Sequence, residues 1–269
     1  MINFHKPVGA GAPAQGNRKG LPLFLKQLGV AALYALIAMI VLACCSGNGV
    51  ISVIWLPAGL ALAAVLIGGN RYAGGVFLGA LLVNLMVSHP FGMAAAIAAG
   101  NTLEALLGAW LLRRNDAFNQ SVLSTRNYLL LLMAGGIAGG IAALVGTATL
   151  VFSGLLAGET FFPNLAYWWM GDVLGITLIT PLILVWRQMP DGGLKPKRLA
   201  EFVLLACLTL LAGQVIFMGW LHDSVGHIAK GYWMFLFVTW AAVRLEAHGV
   251  VVILVISAVM GLLGAQQGT

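Results

Sequence analysis

The feature that most limits this chain is how rarely its long apolar runs are interrupted by charge. From Leu21 to Cys45 the only charged residue is Lys26, and from Ile51 to Ile67, and again from Asn127 to Gly158, there is none. A membrane-crossing helix needs about 20 mainly apolar residues. In lipid every backbone polar group must find its partner inside the structure, which leaves helices and closed barrels. Runs of this length, repeated along the chain, predict an all-α polytopic transmembrane bundle. The composition agrees: 61% of the 269 residues are hydrophobic and 8% charged, against about 25% charged in a soluble domain. The 35 glycines suit a bundle whose backbones approach closely.

The runs place nine helices, with eight to ten allowed by the boundaries, near 22–45, 50–69, 72–88, 91–112, 127–154, 164–186, 199–221, 231–245 and 248–265. The breaks carry turn-formers or charges, as in Ser46-Gly47-Asn48-Gly49 and Ser88-His89-Pro90. The runs 72–88 and 231–245 are short for a full span. Residues 1–20 read as a polar, flexible cytoplasmic tail and 21–269 as one membrane domain. The run 21–45 is too long for a cleaved leader, whose apolar core is about 7–15 residues, so it reads as an uncleaved first span. Basic residues collect in alternate connections: the tail, Arg71, Arg113/Arg114/Arg126, Arg187/Lys195/Lys197/Arg198 and Arg244. The positive-inside rule puts these in the cytoplasm, with the N-terminus. The net charge of +6 is thus a topology signal, and nucleic acid is not an expected partner. Nine spans leave Thr269 outside. A relay to a cytoplasmic domain needs an even count, so either the sequence ends one helix short of a complete unit or one of the nine runs is not a span.

The chemistry must lie in polar residues inside apolar spans, because an ionisable group in lipid is costly unless it faces the bundle interior or a partner. Glu104, Asp172 and Arg244 are the charged candidates, and Asn84, Asn101 and Gln214 the neutral ones. Asn101 and Glu104 stand three apart on one helical face, with Gly100 and Gly108 flanking the carboxylate. Trp168, Trp169, Gly171, Asp172 and Gly175 fall within two turns, setting aromatic surface beside a carboxylate. Trp240 and Arg244 are four apart, close enough to stack. Counting depth by the helical rise of about 1.5 Å places Trp55, Asn84, Asn101, Trp169 and Asp172 between the midplane and the outer end of their spans, as the expected lining of a cavity open to the periplasm. Arg244 falls near the cytoplasmic end and fits that cavity less well. Structural roles are open at the same positions. Asn84 and Asn101 suit interhelical hydrogen bonding, Glu104 and Asp172 suit pairing with Arg244 or with backbone, and Arg244 suits a cytoplasmic anchor. Pro57 and Pro181 suit kinks.

Enzyme signatures are missing. The sequence has no Walker, dinucleotide, zinc-protease or nucleophile-elbow pattern, so no catalytic residue and no enzymatic activity are expected. Cys44, Cys45 and Cys207 have no metal-ligand spacing and read as apolar packing residues; no metal is expected. His222 and His227, with Asp223 between them, form a conceivable weak metal or pH-sensing pair, and equally suit ordinary loop positions. No cofactor is indicated.

The run Ile54-Trp55-Leu56-Pro57-Ala58-Gly59-Leu60-Ala61-Leu62, followed by Gly69-Asn70-Arg71-Tyr72 and Gly75-Val76-Phe77-Leu78-Gly79-Ala80, resembles the signature of the membrane-associated sensor (MASE) family, type one. Gly100-Asn101-Thr102-Leu103-Glu104-Ala105, the residues Trp169, Gly171, Asp172, Leu174 and Gly175 before Pro181, and Trp240-Ala241-Ala242-Val243-Arg244-Leu245 are similar to its later motifs. Leu56 departs from it, where many relatives carry a second proline. The resemblance implies a multi-pass sensory module of the bacterial inner membrane. Such a module detects a small ligand or a membrane or redox state and relays it to a cytoplasmic output: a diguanylate cyclase or phosphodiesterase of cyclic-di-GMP signalling, or the histidine kinase of a two-component system. Such outputs act as dimers. The bilayer, an undefined small ligand and the output domain are the implied partners. The ligand-site candidates are Trp55, Asn84, Asn101, Glu104, Trp168, Trp169, Asp172, Trp240 and Arg244. A small-solute transporter is the alternative, since midplane carboxylates and helices interrupted by Gly or Pro also suit that class.

Overall fold

A computed structural model describes residues 22–45, 54–87, 89–120, 122, 124–188, 196–220 and 230–267. Nine α-helices run through them: α1 Leu23–Cys45, α2 Leu56–Gly68, α3 Ala73–Met86, α4 Phe91–Arg113, α5 Thr125–Phe152, α6 Phe161–Trp186, α7 Pro196–Phe217, α8 Met234–Arg244 and α9 Glu246–Gln267. This is the all-α polytopic bundle expected from the apolar runs. Six of the helices, α1, α4, α5, α6, α7 and α9, are long and apolar enough to cross a membrane. The other three have 13, 14 and 11 residues, or about 16–21 Å at the helical rise, and fall short of a hydrocarbon core of about 30 Å.

Local sequence explains the boundaries. The α2 helix begins at Leu56, later than its apolar run suggests, because Pro57 is suited to a first turn and disruptive further in. It ends at Gly69, whose φ of 82° is left-handed backbone that favours glycine. The Ser124 hydroxyl accepts a bond from the Asn127 N–H and caps α5. Pro181 lies inside α6 and leaves the Thr177 carbonyl without its usual helical donor; the Tyr128 hydroxyl donates to that oxygen at 3.4 Å.

The α2 helix is the innermost element, buried along most of its length and packed on α6 and α4, while α5 lies against α4 and α6, and α1 against α3. Where α2 crosses α6 the two backbones touch. A methyl on Gly59 would meet the Gly175 carbonyl oxygen at 2.2 Å, and one on Gly175 would meet the Trp55 carbonyl oxygen at 2.0 Å. The Trp55 N–H donates across the same contact to the Gly171 carbonyl at 2.9 Å. The last carbonyls of α2 are taken up by side chains, with Arg113 donating to Val65, Gln120 to Leu66 and Arg71 to Gly68. Cationic donors there also suit the negative end of a helix.

The last three helices form a smaller group around Leu205, Ala241, Leu245 and Ile253. They join the main bundle through α9, which packs on α6 and α1, and through the Trp186 indole N–H, which donates to the His248 carbonyl at 3.1 Å. Large apolar side chains such as Phe24, Leu36, Phe152, Phe162 and Phe235 point outward, as expected for a bundle whose solvent is acyl chain.

Candidate ligand site inside the bundle

The α4 helix turns its polar residues inward because glycine gives its neighbours room. Val145 of α5 fills the space beside Gly100, and Leu62 of α2 that beside Gly108. Between these close approaches Asn101 and Glu104 are buried, at 3% and 1% exposure, and Asp172 of α6 is fully buried. Both carboxylates meet at Gly139 of α5, where a methyl would lie 3.4 Å from Glu104 Oε1 and 3.4 Å from Asp172 Cβ. The absent side chain of Gly139 thus makes the space that holds them together. None of the four carboxylate oxygens has a hydrogen-bond partner, and the Asn101 Oδ1 and Thr147 hydroxyl are unpartnered too. No ion pair among the described residues reaches either acid. Arg113, on the same helix as Glu104, is nine residues away, roughly 13 Å along the axis. Unpaired carboxylates at such depth are among the costliest groups a membrane protein can hold.

Above the acids stands Tyr34 of α1, fully buried. Its hydroxyl oxygen accepts from Trp55 Nε1 at 3.2 Å and from Asn101 Nδ2 at 2.9 Å. One phenol thereby joins α1, the entry to α2, and α4. Trp168 of α6 packs its indole into the gap left by Gly146 of α5, where a methyl would clash at 2.3 Å, and lies beside Asp172. A cavity of about 90 Å³ opens next to this cluster. Trp55, Asn84, Asn101 and Trp168 line it, with Leu42, Ile97 and Leu150 as apolar wall and His89 towards the α3–α4 connection. Burial at that connection pulls the His89 pKa below its ordinary value.

The residues singled out in the sequence divide into two groups. Trp55, Asn84, Asn101 and Trp168 share the cavity, while Glu104 and Asp172, about one helical turn beyond Asn101 and Trp168, do not line it. Trp169 does not join them: at 43% exposure it faces outward, and its indole N–H donates to the Gly136 carbonyl at 2.7 Å. The buried face of α6 runs through Gly171, Asp172, Gly175 and Ile176. Trp168, four residues before Asp172, stays on that face, and Trp169 rotates off its edge. Trp240 and Arg244 are also elsewhere. Both donate to Glu201 of α7, Arg244 through Nε at 2.8 Å and Nη2 at 3.2 Å, Trp240 through Nε1 at 3.1 Å. Arg244 therefore neutralises Glu201 and neither of the interior acids. Beside this clasp Arg198 pairs with Glu246, whose φ of 58° makes the sharp turn between α8 and α9.

Tyr34 and Glu201 were not foreseen. Tyr34 reads as one aromatic in an apolar run. Its signal was the alignment with Ala31 and Ala38 on one buried face of α1, where Gly79 of α3 makes room for Ala31 and Tyr34. Glu201 stands at the start of α7, where an acid passes as a surface residue. Cys44 and Cys207 lie on the outside of the bundle rather than packed within it. The His222/His227 pair lies outside the described residues. Among those described, no group of three or more His, Cys, Asp or Glu is placed to hold a metal ion.

Comparison with protein families gives a match to MASE1 over residues 25–269. Neither a curated protein nor a solved structure matches the chain significantly.

Proposed function

Because the chain belongs to the MASE1 family of membrane sensory domains, we propose that it is a bacterial inner-membrane sensor whose ligand occupies the cavity bounded by Trp55, Asn84, Asn101 and Trp168. The observation that carries this reading is the concentration of unpartnered, buried polar atoms at one place: Oδ1 of Asn101, a residue that lines the cavity, and the carboxylates of Glu104 and Asp172 nearby. Apolar packing there would cost less. A cluster of this kind is explained by something it meets.

The positive-inside rule orients the bundle with the Arg71, Arg113 and Arg244 end in the cytoplasm. The cavity then faces the periplasm, and signal passes to a cytoplasmic cyclase, phosphodiesterase or kinase partner. The relay runs through α6. Its Trp168 stands at the cavity and its Trp186 holds His248 of α9, so a shift of α6 moves the three-helix group. A ligand drives such a shift by its difference in affinity for two packings, with about 1.4 kcal/mol for each tenfold change in their ratio. Catalysis has no support among the described groups.

Ile97→Trp, which fills the cavity from its apolar wall, tests this. In cells that carry the chain with its output partner, the variant is expected to fix cyclic-di-GMP level or kinase phosphorylation at one value regardless of stimulus. A normal response from a variant present in the membrane at wild-type amount contradicts the proposal. Uptake of a solute into proteoliposomes would support transport instead.

A further inference from the structure

The polar groups around the cavity are partly committed to one another. Trp55 Nε1 and Asn101 Nδ2 both donate to the Tyr34 hydroxyl, and Asn84 Nδ2 donates to the Ala80 carbonyl at 2.9 Å. Each amide nitrogen keeps a second N–H, and His89 adds its ring nitrogens, so the lining offers both donors and acceptors beside its aromatic surface. Asn101 Oδ1 is buried and unpartnered, and the Asn84 amide, its nitrogen held by Ala80, keeps its oxygen. Two indoles, Trp55 and Trp168, stand in the wall, and indole faces attract cations. Nearby lie Glu104 and Asp172, with no ion-pair partner among the described residues. The site is polar, aromatic and backed by acid, and no Lys or Arg stands among the residues that line it.

On the premise that this cavity is the ligand site, we infer that its ligand is a small organic cation with N–H donors, an alkylammonium of a few non-hydrogen atoms. Its charge lies against the indoles of Trp55 and Trp168, its N–H groups meet the amide oxygens of Asn84 and Asn101, and the acids balance it from below. A free amide oxygen suits an N–H donor, and an anion would stand near two acids with no Lys or Arg in the lining. The cavity of about 90 Å³ limits the ligand to a small one.

The test is binding to the purified full chain in lipid nanodiscs, with radiolabelled methylammonium as the probe. The expected result is saturable binding. Unlabelled ethylammonium should displace the probe, and ethanol and acetate at equal concentration should not. Displacement by potassium as effective as that by ethylammonium would show that charge alone is recognised and would overturn the N–H donor requirement. Asp172→Asn and Glu104→Gln should each weaken binding by tenfold or more. Asn101→Leu should weaken it comparably while both acids remain. Equal displacement by ethanol, or no saturable binding by wild-type protein that melts cooperatively, overturns the inference. A neutral or anionic ligand that binds and is lost in Ile97→Trp would sink this inference and leave the sensory reading standing. An unchanged signalling response in Ile97→Trp would sink both.

Discussion

Removing a single oxygen tests the cluster at its hub. The Tyr34 hydroxyl is the acceptor for two N–H donors in the interior, so Tyr34→Phe leaves Trp55 Nε1 and Asn101 Nδ2 without that partner. Each orphaned buried donor costs about 1–3 kcal/mol. Thermal unfolding in detergent should show a clear drop in Tm for Tyr34→Phe. The acids should behave in the opposite way. Glu104→Gln and Asp172→Asn each remove a potential buried charge with little change in shape, and a buried charge without a partner is a net cost. Both are expected to melt at or above the wild-type temperature while the response to stimulus is lost. Instability of both would mark the acids as structural members of the core. These polar residues were legible in the sequence because each interrupts an apolar run. Tyr34 was not, because an aromatic ring in such a run gives no sign of where its hydroxyl points.

At the scale of helices the α2–α6 crossing carries the sharpest prediction. Gly59→Ala and Gly175→Ala each drive a methyl into backbone at 2.2 and 2.0 Å. The helices have to separate, at a cost of at least the roughly 1–3 kcal/mol typical of overpacking. Gly136→Ala is the control, since the nearest atom to its new methyl is 4.0 Å away. Alanine there should be neutral or stabilising by about 0.5–1 kcal/mol. Yield of folded protein and Tm in detergent separate the cases, and equal loss at Gly136 would show that the crossing is not special. Helix number and order were readable from apolar run length, and so was the shortness of α3 and α8. The tie between α2 and α6 was not, because the Trp55 N–H on the Gly171 carbonyl is a tertiary contact. Nor was the separation of Trp168 from Trp169, adjacent residues whose facing is decided by the rotation of α6.

Across the whole molecule, the six-helix body holds the cavity and the three-helix group is hung from it through α6 and α9. The clasp of Glu201 with Arg244 and Trp240, beside Arg198 with Glu246, fixes the α8–α9 turn to the start of α7. Surface ion pairs contribute little stability, so Glu201→Arg is expected to leave the fold intact and to uncouple stimulus from output. Reversing the pair, with Glu201→Arg and Arg244→Glu together, should restore part of the response. Failure of the reversed pair to recover any response, with protein levels normal, would remove the clasp from the relay. No periodicity in the sequence announced this pairing, since it joins residues on separate helices.

The central claim is that water and small solutes reach a polar hollow among the helices. Its most direct measurement is the rate at which a cationic methanethiosulfonate reagent of ethylammonium size modifies Ile97→Cys in a background lacking Cys44, Cys45 and Cys207. Ile97 is almost wholly buried yet lines the cavity, whereas Leu103 on the same helix is half exposed on the outside of the bundle. Rapid modification of Ile97→Cys, slowed by methylammonium, with Leu103→Cys inert in the bilayer, is the predicted result. An unreactive Ile97→Cys beside a reactive Leu103→Cys would contradict the account.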